Sequence, residues 1–310
     1  MTKILITGGA GFVGSSLAER FLITGKYFVV VVDNLLTGSL KKIPNHENCR
    51  FIKCDVNNYN DISAIMTSYQ FDYVFHYAAV VGVNRTIENP IMVLNDLQGI
   101  KNVLDLCKNT GVKRVFFSSS SEVYGEPVEL PQHEETTPLN SRLPYAVVKN
   151  AGESFCKSYQ KEFGLDYTIF RFFNTYGPKQ STDFVISKFI KAALKNQPIT
   201  VYGNGNQTRT FCFIDDNTTC TLKILEEGHA INDVINIGSE IDITILELAE
   251  LIISLTKSSS KIEFLPPLKE GDMTRRQPDS RKMKKIIGNN FISLEEGLKK
   301  ILKSEMAFLQ

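Results

Sequence analysis

The run Gly8-Gly9-Ala10-Gly11-Phe12-Val13-Gly14, set between two short apolar stretches, limits what this chain can become more than any other feature. Lys3-Ile4-Leu5-Ile6-Thr7 predicts a strand entering the run, and residues 15–24 predict a helix leaving it, with Gly25 as its C-terminal stop. The glycines at 8, 11 and 14 divide three tasks: a tight turn, close backbone approach to a pyrophosphate, and close helix–strand packing. A pyrophosphate would rest on the amides that open the helix, beside Phe12 and Val13. A second strand, Phe28-Val29-Val30-Val31-Val32, ends in Asp33-Asn34 about twenty residues on, where a carboxylate would accept the adenosine ribose hydroxyls. An acid there repels a 2′-phosphate, so the pattern predicts NAD rather than NADP.

Further strand–helix units follow. Arg50-Phe51-Ile52-Lys53-Cys54 predicts a strand, and Asp55-Val56 after it is placed to meet an adenine. Tyr73-Val74-Phe75-His76-Tyr77 predicts a buried strand leading to Ala78-Ala79, small enough for the backbone to pass close to a dinucleotide. Residues 89–109 contain a predicted helix with Leu94, Leu97, Val103, Leu104 and Leu106 on its apolar side. Arg114-Val115-Phe116-Phe117 and residues 167–173 predict two more strands, flanking a helix that carries Tyr145 and stops near Gly164. Strands alternating with helices imply a doubly wound parallel α/β sheet with ligands at the carboxyl ends of its strands. Organisation loosens after about residue 175. Residues 184–195 predict a helix, Thr244-Ile245-Leu246-Glu247 a capping box opening another, and Ser293-Leu294-Glu295-Glu296 the last. The division expected is 1–175 for cofactor binding and 176–310 for a smaller mixed substrate lobe, with some later segments returning to the first.

The chemistry is expected where the hydroxyl run Ser118-Ser119-Ser120-Ser121-Glu122 closes a strand and Tyr145-Ala146-Val147-Val148-Lys149 follows on a helix. Positions four apart share a helical face, so Lys149 can lie beside the Tyr145 phenol. A free phenol, with a pKa near ~10, is a poor base at neutral pH. An ammonium and an oxidised nicotinamide nearby would favour the phenolate. Ser120 could hydrogen-bond the same substrate hydroxyl. Such a set removes a proton from an alcohol while hydride leaves its carbon. Tyr-x-x-x-Lys alone occurs by chance in many helices, and its meaning here depends on the dinucleotide pattern upstream.

Charge is balanced, with 35 basic and 34 acidic residues, so no global field draws the chain to nucleic acid or membrane. An anionic substrate must then be held by local arginines. The six cysteines form no Cys-x-x-Cys pair and fall mostly in apolar runs, which predicts buried, reduced thiols in a cytoplasmic protein. Four scattered histidines predict no metal site. The N-terminus enters a strand directly, so neither a signal peptide nor a membrane span is expected.

Taken together, these residues resemble the extended short-chain dehydrogenase/reductase family of NAD-dependent nucleotide-sugar epimerases, dehydratases and decarboxylases. Gly-x-x-Gly-x-x-Gly, Tyr-x-x-x-Lys, the stretch from Arg171 to Pro178 (Arg-Phe-Phe-Asn-Thr-Tyr-Gly-Pro) and that from Val201 to Arg209 carry the resemblance, which runs from Lys3 to about Leu302. It implies a Rossmann-type domain with bound NAD and a nucleoside-diphosphate sugar as substrate. It further implies Tyr145, Lys149 and Ser120 as the catalytic set, Asn95 near the cofactor, and Ser120, Ser121, Asn174 and Arg209 on the substrate. Arg275 or Arg276, within residues 271–279, would supply a second diphosphate clamp. Family members commonly dimerise through the helices that hold Asn95 and Tyr145. Glu122 could be a base toward sugar C5, a substrate-orienting acceptor or a structural carboxylate.

The common step implied is oxidation at sugar C4 to a 4-keto sugar. Glucose dehydratases of the family carry Thr-Asp-Glu where this chain has Ser120-Ser121-Glu122, which speaks against dehydration. UDP-glucuronate decarboxylases keep Thr-Ser-Glu there but have a Ser/Pro-rich loop after the fourth strand, whereas Ala78 to Thr86 here is closer to epimerases. The expectation is therefore a 4-dehydrogenase, with GDP-manno-heptose as one possible substrate, or the first half of a 4-epimerase. A Lys-, Asn- and Ile-rich chain without Trp suggests an AT-rich bacterial genome and surface polysaccharide synthesis. The alternatives are a UDP-glucuronate decarboxylase and a non-catalytic NAD-binding regulator of the same fold.

Overall fold

The structure, a computed structural model, describes residues 1–267 and 275–309. Six strands come first in the chain: β1 (Thr2–Thr7), β2 (Tyr27–Asp33), β3 (Cys49–Lys53), β4 (Tyr73–His76), β5 (Arg114–Ser120) and β6 (Asp166–Phe172). Helices α1 (Phe12–Ile23), α2 (Tyr59–Tyr69), α3 (Val83–Glu88), α4 (Pro90–Leu94), α5 (Asp96–Thr110) and α6 (Pro144–Phe163) lie between them. The rest of the chain runs β7 (Thr175–Tyr176), α7 (Val185–Leu194), β8 (Ile199–Tyr202), β9 (Thr208–Thr210), β10 (Cys212–Phe213) and α8 (Ile214–Glu226). It continues through β11 (Asp233–Ile237), β12 (Asp242–Thr244), α9 (Ile245–Thr256), β13 (Ile262–Leu265), α10 (Arg281–Ile287) and α11 (Leu294–Leu309).

The main sheet has seven strands in the order β11-β6-β5-β4-β1-β2-β3, and every neighbouring pair is parallel. Its strands are apolar at successive positions because both faces are covered. Leu5, Val30, Val74 and Phe117 pack against α2, α5 and α6 on one side. Ile4, Ile6, Val31, Phe75 and Phe116 pack against α1, α8 and α10 on the other. Beyond residue 175 the chain both returns to this sheet, through β11 and α8, and builds a separate core of α7, α9, α11 and short strand pairs. In that lobe β8 pairs with β13 in parallel and β9 with β12 antiparallel.

Two local expectations need correction. The first helix begins at Phe12 instead of residue 15, because Gly11 already serves as its N-cap. The helix expected within residues 89–109, with Leu94 among its apolar positions, is divided into α4 and α5, meeting at Asn95. Leu94 is exposed, not apolar core, since α4 is one short turn that buries Val93 alone. The capping box at Thr244 forms as expected, with Thr244 Oγ1 accepting from the Glu247 amide at 3.1 Å and Glu247 Oε2 accepting from the Thr244 amide at 2.9 Å. All six cysteines are free and buried. Among the described residues no helix is long and apolar enough to cross a membrane.

The strand order places β2 and β3 on one side of β1 and β4 on the other, so the connections after β1 and β4 diverge. A crevice forms at such a switch point, outside the carboxyl ends of the strands.

Candidate active site

A cavity of about 1130 Å³ opens at that crevice and extends toward the lobe. One end is built by the glycine turn. Gly8 has φ +68°, and a Cβ there would lie 2.8 Å from the Tyr77 carbonyl and the Ala78 amide nitrogen. A Cβ on Gly14 would lie 2.5 Å from the Gly8 carbonyl oxygen, so the helix can start this close to the strand only without a side chain. Helix α1 opens on Gly11 with no side-chain cap and no acid in its first turn, which leaves first-turn amides suited to an anion. Gly8, Gly11, Phe12, Val13 and Gly14 all line the cavity.

Asp33 closes β2 with both carboxylate oxygens held, one by the Leu35 amide at 2.7 Å and the other by the Ala10 amide at 3.1 Å. Asn34 donates to Asp55 at 3.3 Å, and Asp55, Val56, Ala78 and Ala79 complete this wall. Thr7 Oγ1 accepts from the amides of Tyr77 and Ala78, both at 3.1 Å, and also bonds His76 Nδ1 at 2.9 Å. This joins the ends of β1 and β4 under the crevice. Burial, with Lys149 nearby, pushes the His76 imidazole down to about 3, so it stays neutral. The uncapped helix start, the glycine clearance and the fixed carboxylate fit a dinucleotide whose pyrophosphate lies on α1 and whose ribose meets Asp33.

The other end carries the hydroxyls. Tyr145 sits in the first turn of α6, just after Pro144, and Lys149 one turn later. Ser120 Oγ accepts from the Glu122 amide at 3.2 Å where β5 turns into a short 3-10 segment, Ser121–Tyr124. Ser120, Ser121, Glu122, Tyr145, Lys149, Asn95 and Asn174 all face this cavity. Lys149 is buried, donates to the Ser118 carbonyl at 2.7 Å, and lies 5.7 Å from the centre of the Tyr145 ring.

Electrostatics here differ from the expectation that Lys149 lowers the phenol's pKa. Burial raises the Tyr145 pKa, Glu122 raises it further, and a hydrogen bond with Ser120 opposes them. Lys149 spends its ammonium on Ser118, and burial lowers its own pKa from 10.5 to about 8. Asp96 counters that, and its carboxylate accepts from the Val80 amide at 2.7 Å. Asp96 lines the cavity beside Asn95 and was missed from sequence; its adjacency to Asn95 was the available signal.

The arginines divide. Arg276, almost fully buried, pairs with Glu122 at 2.7 Å and lines the cavity. Arg275 is exposed and Arg209 is half-buried on β9, with its Nη1 donating to the Thr208 carbonyl at 2.7 Å; neither lines the cavity. Asn174 instead spans toward the lobe, donating to the Thr210 carbonyl at 3.0 Å. Residues 271–274, the first part of the second-clamp stretch, lie outside the described residues.

Comparison with known proteins agrees with this geometry. The model of a family described as "NAD dependent epimerase/dehydratase family" matches residues 4–238. A UDP-N-acetyl-alpha-D-glucosaminuronate decarboxylase from Bacillus cytotoxicus is 37% identical, over 97% of this chain and 97% of its own. The UDP-glucose 4-epimerase of Thermotoga maritima, solved with UDP-glucose, superposes with a TM-score of 0.93 at 31% identity, covering 100% of both chains. A UDP-glucuronic acid 4-epimerase from Bacillus cereus, solved with UDP-glucuronic acid and NAD, gives 0.90 at 30% identity, covering 99% of this chain and 100% of that one. With the glycine turn, the Asp33 carboxylate and the Tyr145–Lys149 pair in one cavity, the chain belongs to the NAD-dependent epimerase/dehydratase family of extended short-chain dehydrogenases/reductases.

Proposed function

We propose that the chain oxidises the C4 hydroxyl of a nucleoside-diphosphate sugar to a 4-keto sugar, either as a 4-dehydrogenase or as the first half of a 4-epimerase. The observation that carries this reading is the position of Tyr145, Ser120 and Lys149 in the same cavity as the Gly8–Gly14 turn. NAD, when bound, supplies the hydride acceptor. Tyr145 takes the C4 hydroxyl proton as general base, and Ser120 orients that hydroxyl. The raised pKa of the phenol means that positive charge must gather beside it before it can act. Arg276 already acts on the phenol in that direction, and the Lys149 ammonium lies 5.7 Å from the ring centre. Asn174 and Arg276 hold the diphosphate in this reading. Arg209, with Nη1 on the Thr208 carbonyl, lies outside the residues that line the cavity and is not assigned to the diphosphate.

A second reading, decarboxylation of a hexuronate, is supported by Arg276. It and Lys149 are the cations that line the cavity among the described residues, and a C5 carboxylate requires one. After oxidation at C4 the C5–carboxyl bond would break, carbon dioxide leaving while the electron pair passes to the 4-keto oxygen; C5 is then protonated and the hydride returns to C4, so the net loss is carbon dioxide alone. The decarboxylase relative agrees with this alternative. Dimerisation through α4 and α6, where Ile91, Leu94 and Val147 are exposed, belongs to the same proposal.

The test is incubation with UDP- and GDP-linked hexoses, hexuronates and manno-heptose, read by mass spectrometry. Loss of two hydrogens marks a dehydrogenase, an unchanged mass with a new retention time an epimerase, and loss of carbon dioxide a decarboxylase. No conversion of any sugar by NAD-loaded protein would remove the proposal in favour of a non-catalytic NAD-binding role.

A further inference from the structure

Beneath the site lies a charged pair with no direct part in the chemistry above. Glu153 is one helical turn beyond Lys149 on the same face of α6, and Arg171 is on β6, in register with Ser119 of β5. The guanidinium meets the carboxylate twice, Nε to Oε1 at 2.9 Å and Nη2 to Oε2 at 2.7 Å, with side chains only 1–2% exposed. Ser119 Oγ donates to the same carboxylate at 2.6 Å, which fixes the residue before Ser120.

The pair also reaches forward. Arg171 Nη1 donates to the Tyr124 hydroxyl at 2.9 Å, at the end of the 3-10 segment that carries Glu122. Tyr124 donates to Asn236 Oδ1 at 2.8 Å, and Asn236 Nδ2 donates to the Gln132 carbonyl at 2.9 Å. The backbone of Gln132 then grips the strap that bears Arg276. Its amide donates to the Gln277 carbonyl at 2.8 Å, and its carbonyl accepts from the Asp279 amide at 2.9 Å. One buried pair thus touches the Tyr145 helix, the serine run and the Glu122 turn, and reaches the Arg276 strap through Tyr124, Asn236 and Gln132.

We infer that Glu153 and Arg171 are positioning residues that hold Tyr145, Ser120 and the Glu122–Arg276 pair in register across three separate segments of the chain. A charge pair buried this deeply is weak evidence of added stability, since apolar replacements of similar volume are often neutral or better. Its value lies in direction, because each of its bonds points at a different element of the site.

The inference rests on Tyr145 as the base, and its test separates the two ideas. Glu153→Gln alone strands a buried guanidinium, so the informative variants are the double replacement Glu153→Leu/Arg171→Met and the single Tyr124→Phe. The double variant should unfold cooperatively near the wild-type temperature and bind NAD with affinity within about twofold, yet lose about 100-fold in kcat. Tyr124→Phe leaves the pair intact and cuts its link to Asn236. It should raise the KM for the nucleotide sugar several-fold with little change in kcat. Hydrogen exchange of residues 130–137 and 275–281 should rise in both, while residues 2–24 stay protected. Wild-type exchange in those segments, or a folded double variant with kcat within about twofold of wild type, overturns the inference. Should the double variant not fold, Tyr124→Phe decides alone. Raised exchange in a protein whose wild type oxidises no nucleotide sugar would instead refute the assigned reaction.

Discussion

Replacing Lys149 by methionine should stabilise the fold while removing the activity. The side chain is 3% exposed, and burial lowers its pKa from 10.5 to about 8. That difference corresponds to about 3 kcal/mol of cost for keeping the ammonium inside. The Ser118 carbonyl, accepting at 2.7 Å, returns about 1 kcal/mol to the charged form. The attraction of Asp96 for the ammonium is already contained in that difference. Methionine fills similar volume between Phe117 and Tyr145 and carries no charge. The net gain at pH 7 is therefore about 2 kcal/mol. For a chain of 310 residues that is a rise in Tm of about 3 °C.

The sign with pH follows from proton counts. Between the folded pKa of about 8 and the ordinary 10.5, the unfolded chain binds more protons at Lys149 than the native one. Wild-type stability therefore rises through that window, and below it the whole cost is present. The advantage of Lys149→Met should be full at pH 7, shrink above about pH 8 and vanish near pH 10.5. Urea unfolding of nucleotide-free protein at several pH values measures this, with turnover assayed in parallel. A variant less stable than wild type at pH 7, or an advantage equal at every pH, would refute the reasoning.

Tyr145→Phe keeps the ring and should bind both ligands, yet lose about 100- to 10,000-fold in the oxidation step, seen as no NADH absorbance in a single turnover. Asp33→Asn places an amide against the Ala10 or Leu35 amide and should weaken NAD by about 1–3 kcal/mol, with the preference over NADP reduced, as read by fluorescence titration. Gly14→Ala drives a methyl to 2.5 Å from the Gly8 carbonyl, so α1 must shift and calorimetry should show NAD affinity falling more than Tm. Arg276→Ala should raise the KM for the nucleotide sugar far more than the Kd for NAD; equal damage to both would move it away from the substrate.

How much of this was legible in the chain depended on distance along it. The glycine turn, Asp33, the Tyr145–Lys149 spacing and the Thr244 capping box were readable because one turn or one strand–turn–helix unit sets their geometry. Hydrophobic runs likewise announced strands buried on both faces, since a residue's neighbours along the strand must alternate between the two sides of the sheet. The helix break at Asn95 was not readable, because apolar spacing continues through it and the backbone turns for tertiary reasons. Only the folded molecule decided that Arg276 meets Glu122, that Lys149 turns to Ser118, and that Arg209 and Arg275 stand away from the cavity lining. The same holds for the seventh strand, β11, which returns from beyond residue 175 to pair with β6. Each of those outcomes joins groups far apart in sequence, where charge and hydrogen-bonding capacity can be read but the partner is selected by packing alone.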